Sequence, residues 1–300
     1  MNVDGSGRRR WRRRGLLFTV TPVVAAVLLA VAGVAVIVHA RSTTEAGKAR
    51  PTTFHASAHV TTPTTTLVTT TTPPPSPTPT TPPDNPALAT AAVNAVDAMS
   101  TKSVLYGVAI LDRKSGTVTT GAAGGTSFWA ASVIKLFVIT DILHRYETGA
   151  VTLSPAVETD IQRALELSDD NAMDNLWDEF GGSALIPESV QLFGLQGTLP
   201  PPVVGQWGEA KISAQDVLKV YQYILTNLTG ADSGMVLNYL GQAADTGADG
   251  FNQAFGLLDP PRQSTVKAKQ GWMWINGDSI TLNTTGILGP SNDYVVAILS

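Results

Sequence analysis

The sequence predicts an α+β domain over residues 85–300, with one antiparallel sheet drawn from both ends of that stretch and packed against helices from its middle. Three observations carry this. Near the start, two strand-like runs flank a turn. Through the middle, apolar residues recur with helical spacing. Toward the end, three more strand-like runs follow one another.

The elements follow in order. Residues 87–99 are Ala-rich and read as a helix. Residues 107–112 (GVAILD) and 117–120 flank Arg113-Lys114-Ser115-Gly116, which is a hairpin signal. Residues 132–148 have helical periodicity, and Gly149 ends them. A helix-rich middle continues to about Leu228. Residues 266–275, 279–287 and 294–299 return to strand character.

The N-terminus reads differently. Six Arg lie between Arg8 and Arg14, interrupted by Trp11, and residues 16–38 form a run of 23 without a charge. A bilayer core needs about 20 apolar residues as helix, whereas the apolar part of a secretory signal is about 7–15 long. We therefore expect a cytoplasmic basic tail at 1–14 and one uncleaved transmembrane helix at 15–40. Val38-His39-Ala40 is a small-residue cleavage site, so removal of this segment is the alternative. A Thr/Pro-rich linker spans 41–84; of the 33 residues 51–83, 14 are Thr and nine are Pro. Such a segment buries little apolar surface and stays extended and solvated. The expected location is the cell membrane, single-pass, with the folded domain extracytoplasmic.

Composition narrows the chemistry. The net charge of −4 hides an asymmetry: residues 1–86 carry nine Lys/Arg and three Asp/Glu, and the remainder carries 11 and 21. An acidic body without a basic stripe argues against nucleic-acid binding. There is no Cys, which excludes disulfides, thiolate metal sites and cysteine catalysis. Of four His only His144 lies beyond residue 86, so a His-based triad or metal site would rest on one imidazole. We expect neither a metal nor another cofactor. What remains is Ser, Thr, Lys, Asp, Glu and backbone groups.

Three short segments stand out. In Ser132-Val133-Ile134-Lys135, Ser and Lys three apart share a helix face. Burial disfavours an ammonium, so a lysine in an apolar run can serve as base for a hydroxyl. The ordinary alternative is a helix cap with Lys135 reaching solvent. Ser168-Asp169-Asp170 falls between two helical runs, where a plain N-cap is the default. Lys269-Gln270-Gly271, before Trp272, places a Gly in a strand, where a ligand backbone can approach. Two of the three have decoys, Ser264-Thr265-Val266-Lys267 and Lys114-Ser115-Gly116.

Taken in order, these segments form the three-part signature of class A β-lactamases and penicillin-binding proteins. Residues 87–300 resemble that serine β-lactamase/D,D-peptidase superfamily along their whole length. The resemblance implies a β-lactamase/D,D-peptidase-like fold and a set of roles. Ser132 would be the acylated nucleophile, Lys135 its base, and Ser168 the proton relay to the leaving nitrogen. Asp170 would meet the substrate amide, Lys269 and Gln270 its carboxylate. Beyond Gly271, the backbone N–H of Trp272 would join that of Ser132 as the oxyanion hole. The implied partners are a β-lactam or a peptidoglycan peptide.

The departures are informative. Asp170 stands where the family has Asn, and Gln270 where it has Thr or Ser. The E-x-x-L-N loop motif, whose Glu activates the deacylating water, is missing between Phe193 and Ser213. Glu209 is the sole carboxylate of that loop and reads as a surface residue. We therefore expect slow deacylation. The family's closing helix is also missing after residues 294–300, which leaves a sheet face to be covered some other way. The alternative reading is a non-catalytic cell-wall-binding protein on the same fold.

Overall fold

The computed structural model describes residues 86–260, 264–275 and 279–300, and the backbone of a short antiparallel pair, Asn2–Val3 with Arg9–Arg10. The expected anchor and linker lie outside the described residues. Among the described residues, no helix is long and apolar enough to cross a membrane.

Five strands form one antiparallel sheet. They are β1 (Gly107–Asp112), β2 (Thr117–Thr120), β5 (Lys267–Ile275), β6 (Ser279–Leu288) and β7 (Tyr294–Leu299), in the order β2-β1-β7-β6-β5. The early hairpin thus joins the late strands through β1 and β7, with Ala109 opposite Ala297. A second, two-residue pair links β3 (Phe128–Trp129) to β4 (Lys211–Ile212).

All six residues of β1 are buried, because both faces of the sheet are covered. Alternate side chains divide between two cores, as the two-residue period of a strand requires. Ala109, Leu111, Val295, Ala297 and Leu299 belong to the large core under the helices. Val108, Ile110, Val296 and Ile298 belong to a second core under α1 (Pro86–Asp97). Helix α1 presents Ala89, Ala92, Val93 and Val96 to it, one stripe at helical spacing. Leu257 and Leu258, in a short 3-10 turn, complete the cover. The face that the sequence left open is therefore closed by α1 and this turn.

Six helices make the other layer: α2 (Ile134–Glu147), α3 (Pro155–Glu166), α4 (Asp170–Phe180), α5 (Leu185–Phe193), α6 (Ala214–Thr226) and α7 (Gly230–Gly241). Ten consecutive residues of α2, Ile134 to Leu143, are buried, so this helix is the centre of the layer. Local signals set the helix starts. Ser154, Asp169, Ser213 and Thr229 each accept a backbone N–H at the N-terminus of α3, α4, α6 and α7. Helix α7 lies beyond the helical run read from sequence. Its Gly230, Gly234 and Gly241 weaken the helical signal.

The decoy segments are structural. Gly116, at φ 72°, turns the β1–β2 hairpin. Lys267 opens β5, and its Nζ donates to Asn292 Oδ1 at 2.8 Å.

Candidate active site

Ser132 lies in a 3-10 turn, Ala131–Val133, that leads into α2. Neither this turn nor α2 has a side-chain cap, so Ser132 is not an ordinary helix cap. Its hydroxyl instead accepts from Lys135 Nζ at 3.0 Å. One turn of helix separates the two residues, which stacks them on one face. Ala131, just before, has φ 45°. A non-glycine residue there costs about 1–3 kcal/mol and persists only where its surroundings fix it.

Lys135 does not reach solvent. Its side chain is 0 % exposed, and Nζ also donates to Ser168 O at 2.6 Å and to Asp170 Oδ1 at 2.8 Å. The indole of Trp207 covers it, with the ring centroid 4.9 Å from Nζ.

Ser168 is likewise no cap, since Asp169 fills that role by accepting from Asn171 N at 2.9 Å. Arg163 pairs with the Asp169 carboxylate and fixes it. Ser168 has φ 55°, a left-handed conformation in which its carbonyl meets one lysine and its hydroxyl another. Its Oγ accepts from Lys269 Nζ at 2.7 Å. Lys269 is buried, and its amine is held well below the ordinary lysine value. Burial is the main cause, and the charge of Lys135 adds to it; Asp170 and Asp249 act in the opposite sense.

Strand β5 is the sheet edge that carries Lys269, and it runs against the Ser132 turn. At Gly271 a Cβ would sit 2.9 Å from Ala130 O and 3.1 Å from Val133 N, so only glycine permits this approach. Gly271 pairs in register with Asn283 on β6. Asn283 is fully buried, and its Nδ2 donates to Trp129 O at 2.8 Å and Ala130 O at 3.1 Å. The sheet thus grips the chain just ahead of the nucleophile from two positions. Behind Lys269, Thr285 Oγ1 donates to its carbonyl at 2.8 Å and meets Tyr221 Oη at 3.1 Å. Burial pushes the Tyr221 phenol well up, so it stays neutral.

Ser132, Lys135, Ser168, Asp170 and Lys269 therefore form one connected group, with Gly271 against it. Trp272 stands beside them, half-buried. Its Nε1 donates to Asp249 Oδ2 at 3.0 Å, and its ring stacks on Phe251 at 4.9 Å. Gln270 is the exception. Next to Lys269 on the strand, it points to the opposite face, where its Nε2 donates to the carbonyls of Gln253 and Phe255. The expectation that Gln270 meets the substrate carboxylate is corrected on this ground. The long amide reaches across to the neighbouring loop instead.

Trp207, Asn283, Thr285 and Tyr221 were missed as site residues. A tryptophan in a Pro/Gly-rich loop and a lone Asn among strand residues were the available signals. Glu209 is half-buried in the same 3-10 turn as Trp207, Trp207–Glu209. From this turn it is Trp207, not Glu209, that contacts Lys135. Among the described residues no group of three or more His, Asp or Glu could hold a metal ion.

The sheet and the helical layer form a β-lactamase-like fold, with this Ser–Lys–Ser–Lys group between them. Solved structures agree. A β-lactamase from Chitinophaga pinensis DSM 2588 superposes with a TM-score of 0.56, at 18 % identity over 70 % of this chain and 88 % of that one. PBP-A does so with a TM-score of 0.54, at 18 % identity over 71 % of this chain and 86 % of the other. The chain belongs to the family of the mycobacterial protein named "Putative lipoprotein LppW", being 34 % identical to it over 217 residues in Mycobacterium tuberculosis and Mycobacterium bovis, 71 % of this chain and 68 % of that protein. No protein-family model matches the sequence.

Proposed function

We propose that the protein is a serine hydrolase of the bacterial cell envelope that forms an acyl-enzyme at Ser132 with β-lactams or D-alanyl cell-wall peptides and releases it slowly. One observation carries this reading: Lys135 Nζ lies 3.0 Å from Ser132 Oγ, and Lys269 Nζ lies 2.7 Å from Ser168 Oγ, around the same Ser168. In the proposed step, Lys135 first passes an ammonium proton by way of the exposed Asp170 carboxylate to solvent; Ser132 Oγ then attacks the substrate carbonyl carbon and its proton passes to the Lys135 amine. The C–N bond then breaks. Ser168 Oγ–H gives its proton to the leaving nitrogen and regains one from Lys269. The backbone N–H groups of Ser132 and Trp272 would hold the oxyanion, and each such donor typically contributes about 10²–10³ in rate. Charged Lys269 would attract the substrate carboxylate.

Slow release follows from what flanks the ester: Trp207 on one side, and on the other an Asp170 carboxylate already engaged by Lys135. A water that hydrolyses the ester needs a base beside it. The loop that contacts Lys135 offers an indole whose Nε1 donates to Asp174 at 2.9 Å. An indole N–H cannot accept a proton from water.

We further propose a membrane-anchored, extracytoplasmic location. The mycobacterial relative is named a lipoprotein. The present chain has no cysteine to carry a thioether- or thioester-linked lipid, so the charge-free run 16–38 is the anchor we favour. A second reading, a non-catalytic wall-binding protein, is favoured by the ion pair of Asp170 with Lys135, which engages the would-be base.

The full-length protein is incubated with a fluorescent penicillin. A covalent adduct that maps to Ser132 and vanishes in Ser132→Ala supports acylation. No adduct with any β-lactam rejects it in favour of the binding role.

A further inference from the structure

We infer that Asp170 selects the substrate: the site takes acyl donors with a hydrogen-bond donor or positive charge beside the reacting carbonyl and disfavours those with an anion there. The inference rests on the acyl-enzyme reading above.

Asp170 is the first residue of α4, and its side chain is 60 % exposed while its partner Lys135 is fully buried. Two short contacts connect it to the nucleophile: Asp170 Oδ1 to Lys135 Nζ at 2.8 Å, and Lys135 Nζ to Ser132 Oγ at 3.0 Å. A carbonyl that reaches Ser132 therefore arrives beside an exposed carboxylate. That carboxylate has about four lone-pair positions and no proton to give. Lys135 takes one position. The remaining positions bind N–H groups or an ammonium, and such charge-assisted bonds are about twice as strong as neutral ones. A carboxylate entering at the same place is repelled.

The other charges of the site assign the two ends of the substrate. Lys269 sits on β5, on the far side of Ser168, and Asp249 is engaged by the Trp272 indole. An anionic group of the substrate thus has its cation at Lys269, and the flank at α4 is left to a donor. The substrate class is dipolar: a carboxylate toward β5 and an N–H or ammonium toward α4.

Three penicillins isolate this contact. α-Aminobenzylpenicillin, benzylpenicillin and α-carboxybenzylpenicillin differ only in an ammonium, a hydrogen or a carboxylate on one carbon next to the side-chain amide. Each competes with a fluorescent penicillin for Ser132 in full-length wild type and in Asp170→Asn, slightly below neutral pH so that the amine is charged. In wild type the amino compound acylates about tenfold or more faster than the carboxy compound, as one charge contact at a partly solvated site implies. In Asp170→Asn this ratio falls toward one. Asparagine keeps the shape, and Asp169 keeps the cap of α4. Because the ratio is read, a uniform rate change from loosening Lys135 cancels; a residue that only positions Lys135 would leave the ratio unmoved. Equal acylation by the amino and carboxy compounds in wild type overturns the inference, whether or not Asp170→Asn folds. So does a ratio that survives the substitution. Labelling by none of these compounds, the fluorescent penicillin included, rejects the acyl-enzyme reading itself, and this inference falls with it.

Discussion

Lys269 Nζ donates to Ser168 Oγ at 2.7 Å, and this contact ties the edge strand of the sheet to the loop between α3 and α4. The two residues are 101 positions apart in sequence. The bond places a buried cation beside a hydroxyl with a second cation, Lys135, on the carbonyl of the same serine. Such a cluster is costly for a folded chain, and that cost responds to pH.

Burial and the charge of Lys135 hold the Lys269 amine well below the ordinary 10.5, which applies to the unfolded chain. Below the folded value, both states carry the proton, and the folded state bears the full cost of a buried ammonium. Between the folded value and 10.5 the folded chain has released the proton while the unfolded chain still holds it, so stability rises with pH across that window. Lys269→Met removes this rise. Urea midpoints for both proteins, taken from neutral pH to pH about 10, measure it. Parallel curves would contradict the assignment. Acylation by substrates with a carboxylate should weaken over the same window, because an uncharged Lys269 no longer attracts it.

Trp207 predicts the time course of the reaction. With an indole against Lys135 at 4.9 Å, nitrocefin should open once per chain and then nearly stop. The absorbance change should show a burst equal to the protein concentration, and intact-protein mass should show an adduct persisting long after unbound β-lactam is removed. Sustained turnover at a typical enzyme rate, about 1–10³ per second, would mean that another group activates the water.

Much of this arrangement was legible in the sequence. The β1–β2 hairpin, β7 and the start of β6 fall where the strand-like runs and turn residues placed them, because those signals are local. Ser132, Lys135, Ser168 and Lys269 stood out as short motifs, and the fold brings them together. What was not legible depends on tertiary contacts. Gln270 looked like a site residue because of its place in a motif, yet the strand's alternation turns it to the other face. Asn283 carries no motif, and its role exists only because β6 passes the chain leading to Ser132. The closure of the second sheet face needed α1, whose Ala and Val stripe was visible but whose docking site was not.

Gly271 predicts a loss of activity larger than the loss of stability. In Gly271→Ala the new methyl would meet Ala130 O at 2.9 Å and Val133 Cγ2 at 3.0 Å, so the Ser132 turn and β5 must separate. A shift of about 1 Å at a reacting group can reduce rate about 10²-fold. The rate of fluorescent penicillin labelling should fall by about that factor, while the thermal midpoint moves by only a few degrees. Labelling at the wild-type rate would show that the close approach of β5 is not needed.

Asn283 offers the sharpest test of how the nucleophile is held. Its Nδ2 donates to the carbonyls of Trp129 and Ala130, directly before Ala131 at φ 45°. Asn283→Leu takes that donor from both carbonyls; Ala130 O still accepts from Val133 N at 3.1 Å, and a buried group left unsatisfied costs about 1–3 kcal/mol. It also removes part of what keeps Ala131 in a strained conformation, so Ser132 loses its position as well. The expected result is a lower urea midpoint together with slower labelling at Ser132. Ala131→Gly should cost little alone, because relief of backbone strain offsets the lost methyl. Glycine adopts that backbone conformation without strain, so in the double variant it should restore part of the labelling lost in Asn283→Leu. If Ala131→Gly has the same effect on labelling with or without Asn283, the two residues are uncoupled, and the strain is held by other contacts.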